Sequence, residues 1–126
     1  MSAKRILVID DESIILEVIQ ACLDELTSWD VLTAVSGTAG VELAQTQQPD
    51  AILLDMSMPG LNGFQVMSLL RQHPATQTIP VLLLTARALP EDQALFAPLD
   101  VLGVIVKPFD PFSLIEQIGA YLGWQV

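Results

Sequence analysis

Five polar residues, each ending an aliphatic run, are the positions in this chain whose types and spacing could do chemistry. Asp10 and Asp11 follow Ile6 to Ile9, Asp55 follows Ala51 to Leu54, Thr85 follows Val81 to Leu84, and Lys107 follows Val104 to Val106. Three carboxylates brought into one crevice repel one another unless a cation neutralises them, and an oxygen-only donor set with open positions suits Mg²⁺. Taken singly, Asp10 and Asp11 read as a helix cap and Asp55 as a strand-ending turn. Their joint placement favours a divalent cation beside one acceptor carboxylate. Lys107, just ahead of Pro108, has the reach to meet a carboxylate or a transferred phosphoryl oxygen, against the plainer role of a snorkelling surface lysine. Thr85 offers a rotatable hydroxyl donor.

The elements that must position these residues are legible in the apolar pattern. The runs at Ile6 to Ile9, Ala51 to Leu54, Val81 to Leu84 and Val104 to Val106, the last preceded by Leu102, are short and scarcely alternate, as for strands covered on both faces. Trp29 to Val35 supplies a further strand. Ile15, Val18, Ile19, Cys22, Leu23 and Leu26 recur at helical spacing, with Ser13 placed to cap that helix. Gly37 to Gln47 reads as a second helix with Val41 and Ala44 inward, stopped by Pro49. Gly63 to Gln72 is a third with a Phe64, Met67 and Leu70 stripe, followed by a loop from Pro74 to Pro80. Glu91 to Pro98 reads as a short fourth helix. A last helix begins at Pro111 after the cap Asp110 and turns Leu114, Ile115, Ile118, Tyr121 and Leu122 inward. Alternating strands and helices imply an α/β fold: one doubly wound, flavodoxin-like parallel sheet of five strands in the order 2-1-3-4-5, with five helices on both faces. Ligands bind such sheets outside the carboxyl ends of the strands where the winding reverses, here between the strands ending at Asp10 and Asp55.

Composition limits the alternatives. The 126 residues are 52% hydrophobic, enough for one core, and no repeat or linker divides them, so a single domain over residues 1–126 is expected. Fifteen acids against five Lys plus Arg give a net charge of −10, which repels nucleic acid and anionic lipid. The lone Cys22 allows no intrachain disulfide and reads as a small core residue, in keeping with a reducing cytosol. Asp10 and Asp11 cut off the only apolar run after Lys4 and Arg5, which argues against a signal peptide or membrane span and for a cytoplasmic protein.

The stretches VIDDE (Val8 to Glu12), LLDMSMPGLNG (Leu53 to Gly63), LLLTA (Leu82 to Ala86) and VIVKPF (Val104 to Phe109) together resemble the receiver domain of two-component response regulators, of the stand-alone, single-domain kind. The resemblance spans nearly the whole chain. It implies that Asp55 accepts a phosphoryl group from a histidine kinase or histidine phosphotransfer protein. It further implies that Asp10, Asp11, Asp55 and the backbone carbonyl of Ser57 hold Mg²⁺, with Asp10 acting through metal-bound water, and that Thr85 and Lys107 hold the phosphoryl oxygens. A cis bond before Pro108 is implied as well, and Gly60, Asn62 and Gly63 suit the turn into the third helix. Such a protein is not a conventional enzyme: it receives a phosphoryl group, loses it by hydrolysis, and signals through the face made by the fourth helix, fifth strand and last helix to an unknown downstream protein.

One position departs from the family pattern. Val104 stands where most receivers have the strand-five aromatic that follows the threonine inward, which implies a weaker or differently routed conformational change. Ser57 and Arg87 lie two residues beyond Asp55 and Thr85, positions that set phosphoryl lifetime in the family; Arg87 either shields the anion or stays solvated. Leu89, Leu95, Phe96, Leu99, Phe112 and Trp124 form either a patch for a partner or second copy, or part of the core. His73 reads as an exposed helix-end residue, and Met56, Met58 and Met67 as packing. Two other functions compete. A phosphatase or phosphotransferase resembling the haloacid dehalogenase group would need an acid where Ser57 stands, and a scaffold signalling without phosphate would not need the five polar residues intact.

Overall fold

Aliphatic segments too short for helices pair side by side because burial on both faces leaves their backbone groups only one another as partners. The computed structural model describes residues 3–56, 62–86, 94 and 96–125. It contains strands β1 (Arg5–Ile9), β2 (Asp30–Ala34), β3 (Ala51–Asp55), β4 (Val81–Thr85) and β5 (Gly103–Val106). All pair in parallel, in the order β2-β1-β3-β4-β5, as the sequence pattern predicts. The described helices are α1 (Ser13–Leu26), α2 (Gly37–Gln47), α3 (Gly63–Gln72) and α4 (Pro111–Leu122).

Alternation along the central strands divides the core in two. Leu7, Ile9, Ile52, Leu54, Val81 and Leu83 pack with Ala44, Val66, Met67 and Leu70 from α2 and α3. Ile6, Val8, Leu53, Leu82, Leu84 and Ile105 pack on the other face with Leu16, Ile19 and Leu23 of α1 and Leu114, Ile115 and Ile118 of α4. Each of the larger side chains among these contributes about 1.5–3 kcal/mol on burial. No helix among the described residues is long and apolar enough to cross a membrane.

Local chemistry sets the helix starts. Asn62 caps α3 in a reciprocal box, its side chain accepting from the Gln65 N–H while Gln65 Oε1 accepts from the Asn62 N–H. Asp110 accepts from Ser113 N–H at the start of α4, where Pro111 occupies the first turn. Ser13 is not the cap of α1: the helix begins one residue earlier than a serine cap requires, and Glu12 holds the cap position without a side-chain bond.

Several inward faces also differ from the pattern. In α1 the buried stripe is Leu16, Ile19 and Leu23, whereas Val18 and Leu26 are exposed and Cys22 is only partly buried. In α3, Val66 is buried and Phe64 is not, and Tyr121 of α4 lies exposed, its hydroxyl on the Val104 carbonyl at 3.4 Å. Leu102 and Val106 are also exposed, because β5 is an edge strand with one uncovered flank. Of the helix expected over Glu91 to Pro98, most lies outside the described residues; Ala97–Leu99 is a 3-10 turn containing Pro98, which cannot donate a helical hydrogen bond.

Candidate functional site

Strand register alone brings the polar residues to one rim. Ile9 is level with Leu54, so the next residues, Asp10 and Asp55, are neighbours across β1 and β3. Thr85 is level with Val106, so Lys107 follows immediately beyond β4, and its N–H donates to the Thr85 carbonyl at 2.7 Å. Asp10 continues the ladder on the other side through its N–H to the Ala34 carbonyl at 3.1 Å. The bond between Lys107 and Pro108 is cis.

Carboxylate oxygens of Asp10, Asp11 and Asp55 all lie within 4.8 Å of one another. Asp10 and Asp55 are buried, as is Thr85, while Asp11 is exposed. Lys107 Nζ sits 3.4 Å from Asp10 Oδ2 and 3.4 Å from Asp55 Oδ1, bridging the two buried acids. The Glu12 N–H donates to Asp10 Oδ1 at 3.0 Å.

The charges in this buried pocket perturb one another. Burial pushes the Asp10 carboxyl up to about 6, and the Asp55 charge adds to this, against the Glu12 N–H and Lys107. Burial pulls the Lys107 ammonium down, but the Asp10 and Asp55 carboxylates outweigh it and hold its pKa above the ordinary lysine value. Among the described residues three acids thus meet beside one lysine, with oxygen donors close enough to share a small divalent cation. The donor set fits Mg²⁺.

Of the other expected site residues, Ser57 and Arg87 lie outside the described residues, as do Met58, Gly60, Leu89 and Leu95. Val104 is partly buried against the core cluster on the α2 and α3 side. Phe112 is exposed, Phe96 is buried, and Trp124 packs edge-on against Trp29 at 5.2 Å. His73 is exposed and accepts the Ala75 N–H through Nδ1. The sequence pattern did not single out an apolar groove of about 430 Å³ beside Lys107, lined by Ile15, Val18, Ala86, Pro108 and Phe109. Its one signal was an apolar stripe on α1 wider than the core requires.

A sequence model of the response regulator receiver domain matches residues 6–119. The chain belongs to this family. It is 37% identical over 119 residues to the alkaline phosphatase synthesis transcriptional regulatory protein PhoP of Bacillus subtilis, a match covering 94% of this chain and 48% of that protein. It therefore spans about half the length of such curated relatives. Against protein PilH of Pseudomonas aeruginosa the identity is 35% over 118 residues, covering 94% of this chain and 97% of that one. Among solved structures, the chemotaxis response regulator CheY4 of Vibrio cholerae superposes with a TM-score of 0.88 at 27% identity, covering 95% of this chain and 99% of that one. The receiver domain of the sensor histidine kinase PA1611 of Pseudomonas aeruginosa gives 0.84 at 28% identity, over 97% and 99%, and its structure has a magnesium ion coordinated in the active-site cleft. As a receiver domain of two-component signalling, this chain carries its acidic cluster at the switch point of the sheet, between β1 and β3.

Proposed function

We propose that this receiver domain takes a phosphoryl group onto Asp55 from the phosphohistidine of a histidine kinase or phosphotransfer protein, and that the modified form binds a downstream protein. The observation carrying this reading is the buried Asp55 carboxylate held beside Asp10 and 3.4 Å from the Lys107 ammonium. In the transfer, an Asp55 oxygen forms a bond to phosphorus as the phosphorus–nitrogen bond of the donor breaks. The electron pair of that bond returns to the imidazole. Little covalent machinery is needed, because positioning and charge neutralisation supply most of the catalysis.

Each residue has a role in that scheme. Asp10, Asp11 and Asp55, with the Ser57 carbonyl, would hold Mg²⁺, which when bound supplies charge neutralisation on the transferring oxygens. Lys107 moves from bridging two carboxylates to pairing with the phosphoryl group, since the negative charge of Asp55 is carried outward when it becomes an acyl phosphate. Thr85 donates its hydroxyl to the same group, and Ser57 and Arg87 set how fast water removes it. The chain is thus a signalling acceptor that loses its phosphoryl group by self-catalysed hydrolysis rather than a turnover enzyme. The match to nearly all of PilH supports a receiver module that signals by binding a partner protein. Its readout surface comprises the segment around Phe96, β5 and α4.

Intact-mass measurement after incubation with phosphoramidate and Mg²⁺ tests the assignment. Wild type gains one phosphoryl group and Asp55→Asn gains none. An equal gain in both proteins would move the acceptor elsewhere. Pull-down in both states then identifies the downstream protein.

A further inference from the structure

Phe96 is the aromatic side chain that links the α3 side of the core to β5. It is buried and stacks on Phe64 with ring centroids 6.2 Å apart and planes at 26°. Phe64 is the second residue of α3 and follows Gly63, where an added Cβ would lie 2.8 Å from Met56 Cα and 3.2 Å from the Asp55 carbonyl oxygen. The amino end of α3 is therefore seated directly on the backbone of Asp55 and Met56, with no slack between them. Phe96 also lines a solvent-open groove of about 430 Å³ with Ala97, Asp100, Val101, Gly103 and Val104. Val104 and Leu83 belong to the same face of the sheet as Phe96, and Thr85, two residues beyond Leu83, ends the strand on that face.

We infer that Phe96 is a two-position readout of Asp55: stacked on Phe64 when Asp55 is unmodified, and turned into the groove beside Val104 when Asp55 carries its phosphoryl group. The inference rests on the proposed function and adds the route by which the site reports its state. Space permits both positions, since a cavity of about 150 Å³ already holds a benzene ring. The small Val104 side chain is what keeps that space open. Packed interiors switch between discrete arrangements rather than deforming smoothly, so a shift of the Asp55 backbone under a new dianion is resolved at the nearest alternative rotamer. Because α3 rests on Met56, that shift reaches Phe64 without an intervening flexible side chain. An aromatic stack is worth roughly a 2- to 12-fold bias in population, so its loss is enough to redistribute Phe96 between the two positions.

Fluorine NMR of protein labelled with 4-fluorophenylalanine reads this directly, with Phe64, Phe96, Phe109 and Phe112 assigned by replacing each with Leu. Beryllium fluoride with Mg²⁺ serves as the phosphoryl mimic. In wild type the Phe64 and Phe96 resonances shift together on adding the mimic. In Val104→Met, which fills the groove without adding fluorine, the Phe96 response is lost while that of Phe109, next to Pro108, persists. In Phe64→Leu the Phe96 resonance already lies displaced toward its mimic-bound position before any mimic is added. A Phe96 resonance that stays fixed in wild type while Phe109 shifts overturns the inference and leaves phosphorylation of Asp55 standing. So does an undisplaced Phe96 in Phe64→Leu. No shift at any position, together with no mass gain from phosphoramidate, overturns both.

Discussion

Replacing Asp10 by Asn should remove most of the pH dependence of stability that the site imposes on the metal-free protein. Asp10 has its folded pKa raised to about 6 from an ordinary value of 3.8, chiefly by burial. A raised carboxyl binds its proton more tightly in the folded chain than in the unfolded one, so its contribution is fully present below the unfolded value and is lost as pH climbs through the folded value. At about 1.4 kcal/mol per unit, the loss over the whole titration, from below the unfolded value to well above the folded one, is on the order of 3 kcal/mol. For a domain of this size that corresponds to a fall in Tm of about 10 °C. The assay is calorimetric or denaturant unfolding in chelator at pH 4.5, 5.5, 6.5 and 7.5 for both proteins. Subtracting one pH curve from the other cancels the remaining carboxylates, which both chains share. Asp10→Asn should be the flatter by about 2 kcal/mol over that range, and at pH 7.5 more stable than wild type without metal. Saturating Mg²⁺ should raise the wild type selectively, because the variant lacks one of the three acids. Parallel pH curves for the two proteins would refute the reasoning, since they would mean that burial of Asp10 costs nothing in its charged form.

Two further substitutions probe the frame around the site. Gly63→Ala places a methyl group 2.8 Å from Met56 Cα, a backbone atom that cannot swing aside; it should cost about 1–3 kcal/mol in urea unfolding and slow phosphorylation of Asp55, and an unchanged midpoint would remove the claim that α3 is seated without slack. Arg71→Met removes a guanidinium that donates to the carbonyls of Gln77 and Ile79 at 2.9 and 3.0 Å and of Asp100 at 3.3 Å, uniting the end of α3, the loop before β4 and the turn before β5. That change should cost about 1–2 kcal/mol, seen as a lower urea midpoint with the mass gain at Asp55 retained, because the clamp lies at the end of the sheet opposite the acids.

The site was legible in the sequence because a parallel sheet converts run endings into neighbours. Once Ile6 to Ile9 and Ala51 to Leu54 are read as adjacent strands of equal phase, Asp10 and Asp55 have nowhere to lie but side by side, and the observed register of Ile9 with Leu54 is that arrangement. The helices were less legible, for a reason that periodicity cannot cure. In α1, Leu16 and Val18 are both apolar, and spacing alone does not say which of two overlapping stripes the sheet covers; Leu16, Ile19 and Leu23 are the ones that pack with Ile6, Val8 and Leu53 of β1 and β3. The exposed remainder, Val18 and part of Ile15, is what lines the groove beside Lys107. Phe64 illustrates the same limit in α3: it appeared inward by spacing, yet it lies at the rim of the core because its partner is Phe96, a contact between distant segments that no local pattern encodes. Strand endings fix where the charge sits, whereas long-range aromatic contacts fix how the rest of the domain can respond to it. Val104 belongs to the second kind, since its smallness matters only through the space that it leaves beside Phe96.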